Sequence, residues 1–557
     1  MAKFLKVRGQ NATRLLMGRS GLHLPKRDDG EPIPTNAVFY SNSGSNSNPG
    51  TVSEPFADWD YAHENCPVGY TVVALDGLYD NPTTPAYWYA PTGFARDVSN
   101  WQSRTAAYRL GVAGLRLFFI GSRYNNGADY TFSNLVADCT DGAGTTLAGR
   151  GFDIANNDVY QNFTLDNVSV IAPGAIAVLS SKRSGNVTIQ NSTFIYDDLN
   201  NFVVGGANHA DTGPAQWNVL NNTFEHTTAA TLTVAELIGG VALVADAGQY
   251  TYNVSGNDIK LTIPQASQVP YEVIKPESAL LSTVSNNRIT LTSAQSSQVD
   301  VIIAVSDAGY PSPQVNLTDN VVRMYCSNGF GISLGGPSND NYIQNGLIEG
   351  NTVIGQYYAS STPHLYDIGR CDATDRYICR NNIADRGFVG YLVSEGASAA
   401  ASLTEDNLAF DCYGPSYYAK GNTDATIQNN RAILSDTYDQ RFYGVLHAAT
   451  QTGPNIDTQF TGNVVTVQDI SKLGGGLAGF SSGDSATFTN NIYQIPDTVD
   501  LDTELLFLNG VGPSGADMLY ADWLALPNVS GDTIQLKPQA EIDAIIAAAA
   551  AEVAAAS

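Results

Sequence analysis

Acids, histidines and aromatic rings are the residues through which this chain could act on a ligand. Hydrolysis of a glycosidic bond needs two carboxylates flanking it, one to protonate the leaving oxygen and one to activate water or attack. Eliminative cleavage needs a base beside a cation that stabilises the carbanion. The strongest local grouping is Asp197-Asp198 in FIYDDLNN followed by His209 in GANHAD, and these three are the candidate catalytic residues. Further acids expected on the outside are Glu225 beside His226, Asp367 near Arg370 and Asp372, Glu395 and Asp411. Any two could meet once the chain is coiled, and the alternative for each is a solvated surface acid.

Aromatic clusters point to binding. PAYWYAPTGF (85–94), GQYYASSTPHLY (355–366) and YGPSYYAKG (413–421) are tyrosine-rich and bounded by Pro or Gly, which reads as loops. Tyr and Trp join a flat apolar face to a polar tip and suit stacking on a sugar ring. Tyr87, Trp88, Tyr89, Tyr357, Tyr358, Tyr417 and Tyr418 are the candidate carbohydrate-binding residues; the competing uses of these rings are to form a protein interface or to fill gaps between coil and loops or between subunits. Six Cys without a CxxC pair and six His without HExxH give zinc no foothold. Nothing matches an EF-hand loop, so neither a metal nor a cofactor is expected.

Charge is unevenly placed. The net charge is −26, yet residues 1–27 hold seven bases (Lys3, Lys6, Arg8, Arg14, Arg19, Lys26, Arg27) and no acid. The other residues carry 21 bases against 54 acids, a net of −33. A body that acidic repels nucleic acid and anionic lipid, whose binders work by neutralising phosphates. The basic arm, residues 1–35, reads instead as an anchor for an acidic partner. No long apolar run follows it, so neither a signal peptide nor a membrane span is expected, and the cysteines read as buried thiols.

The elements that must position these residues come from a repeat. Asn is abundant, 46 residues, and an Asn mostly preceded by Asn, Gly, Asp or Gln, and often followed by a β-branched or aromatic residue, recurs along the middle of the chain. The marks fall at 134, 167, 191, 222, 257, 287, 320, 351, 382, 407, 430, 463 and 491, in steps of 23 to 35 residues. Each lies between short alternating runs such as PQVNLTDNVVRMY (313–325), the pattern of strands. Asn tolerates the left-handed backbone of a tight bend, and stacked Asn side chains can bond in a ladder. The reading is an all-β, right-handed parallel β-helix of about 13 coils, each rung some 4.8 Å from the next. A sandwich would instead show turns every 8–12 residues.

The opening residues sharpen this. Gly44 to Thr51 (GSNSNPGT) and Pro55-Phe56-Ala57 precede a short helix ending near Cys66 and a strand in YTVVALDGLYD (70–80). This resembles the opening segment of the pectin-lyase-like β-helix superfamily. The resemblance implies an opening segment with a capping helix over 36–69, a β-helix over 70–495 and a C-terminal cap over 496–557. In that cap EIDAIIAAAAAEVAAAS (541–557) is a helix with Ile542, Ile545, Ile546 and Val553 on one stripe. It reads as an end cap, or as a helix joining neighbouring chains. The Asp197-Asp198 and His209 pattern is similar to that of polygalacturonases, an Asp pair followed by Gly-His-Gly. Here Ala207-Asn208-His209-Ala210 lacks the glycines, and no Arg-Ile-Lys follows.

Among proteins of this architecture the chain most resembles bacteriophage tailspikes. That resemblance implies a homotrimer made in the host cytoplasm, joined to a virion protein of the tail or capsid by its basic arm, and touching a host surface glycan with the coil. Two alternatives are a non-enzymatic decoration spike of the capsid or tail, and a polysaccharide lyase or hydrolase.

Overall fold

Period-two alternation becomes strands that turn alternate side chains inward. In Gln314–Thr318, Val315 and Leu317 are buried while their neighbours are half-buried. That strand pairs in parallel register with Leu281–Ser285 before it and Asn345–Glu349 after it, each about thirty residues away in sequence. A parallel neighbour one repeat along the chain is what a β-helix requires. The computed structural model describes three strands within residues 3–23 and, from 37 to 557, the strands with most of their short turns; residues 81–87, 90–99, 197–203, 210–214, 357–361, 370–375 and 394–400 are among those outside the description.

The chain divides into two compact units, Met1–Val269 and Pro270–Ser557, and each contains coils of parallel β-helix with three faces. In the first unit the first face includes Asn162–Asp166, Gly185–Gln190, Ala215–Leu220 and Tyr250–Ser255. The second face stacks Ser169–Ile171, Thr193–Tyr196, Thr223–His226 and Asp258–Ile263. The third runs from Arg116–Ile120 through Arg150–Ile154, Ile176–Ser180 and Val204–His209 to Glu236–Leu243. In the second unit one coil is Asn345–Glu349, Thr352–Ile354 and Thr362–Ile368, and the next is Arg376–Arg380, Ile383–Asp385 and Val389–Val393.

Two features lie at the start of the chain. Lys3–Lys6, Arg14–Gly18 and Gly21–His23 form an antiparallel sheet of their own. Ala37–Tyr40 then pairs in parallel with Thr71–Ala74, so a strand already lies within the opening segment. The Asn46 side chain holds that segment: its Oδ1 accepts the N–H groups of Ala57 and Asp58, and its Nδ2 donates to Asp58 at 2.6 Å. The bonds Ala62 N–H to Asp58 and Asn65 N–H to Tyr61 supply the helical turn expected before Cys66.

The Asn turn between the first and second faces splits its work between two consecutive residues. The left-handed residue is mostly the one before the mark: Asn221, Asn286, Asp319, Asn381, Asp406, Asn429 and Asn490 have φ of 55–56°, and Gly256, Gly350 and Gly462 take the same place. At Asn167 and Asn191 the mark itself is left-handed. The left-handed backbone expected at the marked Asn is thus corrected to the residue before it at most turns. From Asn222 onward the marked residue is buried, and the Asn222 side chain donates to Asn257 one coil on.

In the second unit this makes a ladder through Asn287, Asn320, Asn351, Asn382, Asn407, Asn430, Asn463 and Asn491. Each Oδ1 after the first accepts both the N–H and the Nδ2 of the Asn one coil earlier, at 2.9–3.1 Å. Each Nδ2 after the first also donates to a first-face carbonyl of the preceding coil, as from Asn382 to Ile348 at 2.9 Å. The ladder ends on Asp532. Its Oδ1 accepts the N–H and Nδ2 of Asn491, and its Oδ2 accepts Tyr493 Oη at 2.9 Å and Trp523 Nε1 at 3.2 Å. An acid suits the last rung because it brings acceptors only and leaves no amide donor over.

Inside the coils Tyr366, Tyr391 and Tyr417 stack at 4.8 and 5.0 Å with rings nearly parallel. Each hydroxyl donates to the carbonyl of a ladder residue: Tyr366 to Asn351, Tyr391 to Asn382, Tyr417 to Asn407. The core is therefore bonded to the turn. The C-terminal end is covered by Trp523, in the short helix Tyr520–Leu524, which stacks on Phe507 at 4.7 Å and meets Phe488 edge-on. The longer helix, Gln539–Ala556, does not cover that end. Ile542, Ile546, Ala549 and Val553 pack on Ile383, Leu408, Phe410 and Ile433 of the second face, with Ile545 partly buried beside them. Gln468 bonds Asp543 near its start, and Arg288 and Arg323 donate to the Ser557 carbonyl. The end cap and the helix are thus two separate devices, and the helix is a strap along the flank of its own unit.

Asn382→Ala removes both acceptor bonds from Asn351 and leaves buried donors unmet, each worth about 1–3 kcal/mol. We expect it to lower stability by at least about 3 kcal/mol, whereas Asn381→Gly, at a left-handed position, stays within about 1 kcal/mol of the parent. Thermal unfolding followed by circular dichroism separates the two.

Candidate functional site

The candidate catalytic residues are not brought together within the described part of the chain. Asp197 and Asp198 lie outside the described residues, and His209 is placed only as the last residue of the third-face strand Val204–His209, opposite Leu243. Tyr87, Tyr357 and Tyr358 also lie outside them. Trp88 and Tyr89 are expected in a loop, but they form a short strand opposite Phe118 and Phe119. Of the basic residues, Lys3, Lys6 and Arg14 fall in the antiparallel strands, while Arg8, Arg19, Lys26 and Arg27 are not described.

Tyr417 is a correction. It is 0% exposed and its hydroxyl is committed to two backbone carbonyls, so its ring serves the core. Tyr366 is likewise interior, and Tyr413 is buried. Tyr418, one residue on, points the opposite way and is half-buried. The expected surface acids divide as well: Asp367 and Asp411 are buried, and the Asp411 carboxylate accepts the N–H and Oγ of Ser435, each at 2.7 Å.

The unusual surface is the outside of the third face in the second unit. Along Val299–Ala304 every residue is buried, so the outward side chains are covered too. Two chemically distinct groups lie on this side. The first is acidic: Asp300, 3% exposed, receives Gln298 Nε2 at 2.9 and 3.1 Å and the Phe330 N–H at 3.2 Å. Burial pushes its carboxyl up to about 7 against those donors, with smaller contributions from Glu272 and Asp367. Asp367 takes a long 3.4 Å bond from Ser333 Oγ. Asp300 can therefore hold a proton near neutral pH, but both its oxygens are already engaged, which suits holding adjacent coils in register.

The second group is aromatic. His364 sits between Phe330 and Phe388, at 5.3 and 6.3 Å, with Phe388 continuing to Tyr413. Its buried Nδ1 has no hydrogen-bond partner, and desolvation lowers its pKa to about 4. Further along the same face Tyr418, Tyr443 and His447 form a triangle with centroids 5.3 to 6.1 Å apart. His447 is 1% exposed, its Nδ1 faces the Gly444 N–H, and burial pushes its pKa down to about 3. These imidazoles are neutral above acid pH.

Among the described residues, no group of three His, Cys, Asp or Glu is placed to hold a metal ion, and no helix is long and apolar enough to cross a membrane. Sequence reasoning missed Asp300 and Tyr443. Asp300 could have been noticed as the acid breaking the apolar run VDVIIAV; nothing in RFYGV announces the backbone of Tyr443.

No protein-family model matches the chain, and neither does any curated protein sequence. Among solved structures, a rhamnogalacturonan lyase is similar at 14% identity over 72% of this chain and 83% of that one, with a TM-score of 0.18. A likeness of that grade carries no argument about function, and the fold rests on the strand register described above.

Asp300 has a raised pKa in the folded chain, so protonation favours folding. Its contribution is present in full below the unfolded value near 4 and is lost as pH rises through about 7. Asp300→Asn should flatten that part of the pH profile and gain on the parent above pH 7. Thermal midpoints of both proteins between pH 4 and 8 measure it; a parallel pair of curves contradicts the assignment.

Proposed function

We propose that this protein is a virion spike of the bacteriophage tailspike kind. Three copies assemble, the basic N-terminal strands dock on an acidic virion protein of the tail or capsid, and the β-helix touches a polysaccharide of the host surface. The observation that carries the reading is the charge division between the N-terminus and the rest of the chain. Lys3, Lys6 and Arg14 lie in an antiparallel sheet whose strands, among the described residues, pair with one another, ahead of a sequence with net charge −33. A small basic module joined to an acidic coil supports an anchor and a working part with different partners. Lateral packing of three slim coils adds the buried surface that a narrow solenoid lacks.

Virions assembled with a chain lacking residues 1–27 should carry no spike, while the truncated chain keeps the β-sheet circular dichroism of the parent. Incorporation at the parent level would refute the anchor. The full-length protein should sediment as a trimer and adsorb to host cells. Oligosaccharide release from extracted host glycan distinguishes a cleaving spike from a purely binding one.

A further inference from the structure

Among the described residues thirteen that are not glycine have positive φ, and eleven of these are Asn or Asp, the residues that tolerate it. Tyr443 is one of the two exceptions, with φ of 65°. A ring-bearing side chain gains nothing locally from this conformation. The next coil is built around it: a Cβ at Gly475 would run into the Tyr443 carbonyl, so only glycine fits there. What the conformation achieves is the placement of the Tyr443 ring. It lies 6.1 Å from Tyr418 at an interplanar angle of 21° and 5.3 Å from His447. Tyr418 and Tyr443 are both half-buried on the outer side of the third face, with the buried His447 behind them. Strain held at one residue to fix a partly exposed ring is the mark of a site rather than of packing.

We propose that Tyr418 and Tyr443, backed by His447, form a stacking platform for a neutral sugar residue of the surface polysaccharide. The inference rests on the spike reading and gives its glycan contact a place. Aromatic faces pack against the C–H faces of a pyranose. The histidine of the platform carries no charge at neutral pH, and the body carries −33, so an acidic polymer is repelled over most of its length.

The test uses full-length protein, the cells to which it adsorbs, and their extracted surface polysaccharide separated into neutral and acidic fractions. Tyr443→Gly removes the ring and relieves the backbone. The platform predicts that it weakens binding of the neutral fraction by about tenfold, with a thermal midpoint no more than about 2 °C below the parent. Tyr443→Phe keeps the stack and should bind within about threefold of the parent. Tyr418→Ala should lose binding as Tyr443→Gly does. Unchanged binding by Tyr443→Gly, or binding confined to the acidic fraction, overturns the platform and leaves the spike reading standing. Full-length protein that adsorbs to no host cell overturns both. A large fall in the midpoint of Tyr443→Gly, with Tyr443→Phe restoring it and binding unaffected in either, assigns the ring to packing and overturns the proposal.

Discussion

A buried asparagine side chain brings two donors and an acceptor with two lone pairs into a place without water, and all must be matched. The turns of the second unit match them by repetition. After the first rung, each amide oxygen takes two donors from the coil before, and each amide nitrogen reaches one carbonyl of the preceding coil and one oxygen of the next. No Asn can be satisfied alone; each depends on its neighbours one coil away. This ties the angle between the first and second faces in every coil to the same angle in the next. Networks of this kind specify a structure because a half-satisfied member costs more than an apolar one.

The rest of the second unit follows from that constraint. Tyrosine hydroxyls inside the coil add a second donor to the carbonyls of the ladder residues, so the stacked rings of the third face sit at a height set by the ladder. Termination needs a residue that accepts and does not donate, and Asp532 supplies it with Tyr493 and Trp523 as its further partners. Trp523 also covers the last coil, so the polar end of the ladder and the apolar end of the core are closed by one side chain. The strap helix adds apolar cover on the second face, where Ile383, Leu408, Phe410 and Ile433 would otherwise face water. The outside of the third face is left to carry residues whose placement is not dictated by coil geometry.

Much of this was legible in the sequence, because repetition multiplies a weak local signal. A single Asn between two alternating runs says little, but the same arrangement at steps near thirty residues gives the coil, its faces and the ladder. The left-handed residue was misplaced by one position, since Asn, Asp and Gly share that task and the pattern was anchored on the more uniform ladder residue. The strap was legible as a stripe of Ile and Val, but its resting place was not, because a stripe does not name its partner. Tyr417 and Tyr418 show the limit at the site. Adjacent residues of one strand point opposite ways, so a tyrosine pair contributes one core ring and one surface ring, and composition alone counts both. Asp300 and Tyr443 depend on cross-coil neighbours thirty residues away, which no local window contains.

The charge division remains the clearest link from sequence to role, with basic strands folded on themselves ahead of an acidic coil. Within the second unit the ladder ties each coil to the next, and the rigidity of those coils rests on it. Hydrogen–deuterium exchange with peptide-level mass spectrometry tests this most directly. The turn segments containing Asn320, Asn351, Asn382, Asn407, Asn430 and Asn463 should exchange as slowly as the strands on either side, because their backbone N–H groups are bound by the next rung. Exchange at those turns as fast as at exposed loops, with the strands still protected, would contradict the ladder as the constraint on which the structure depends.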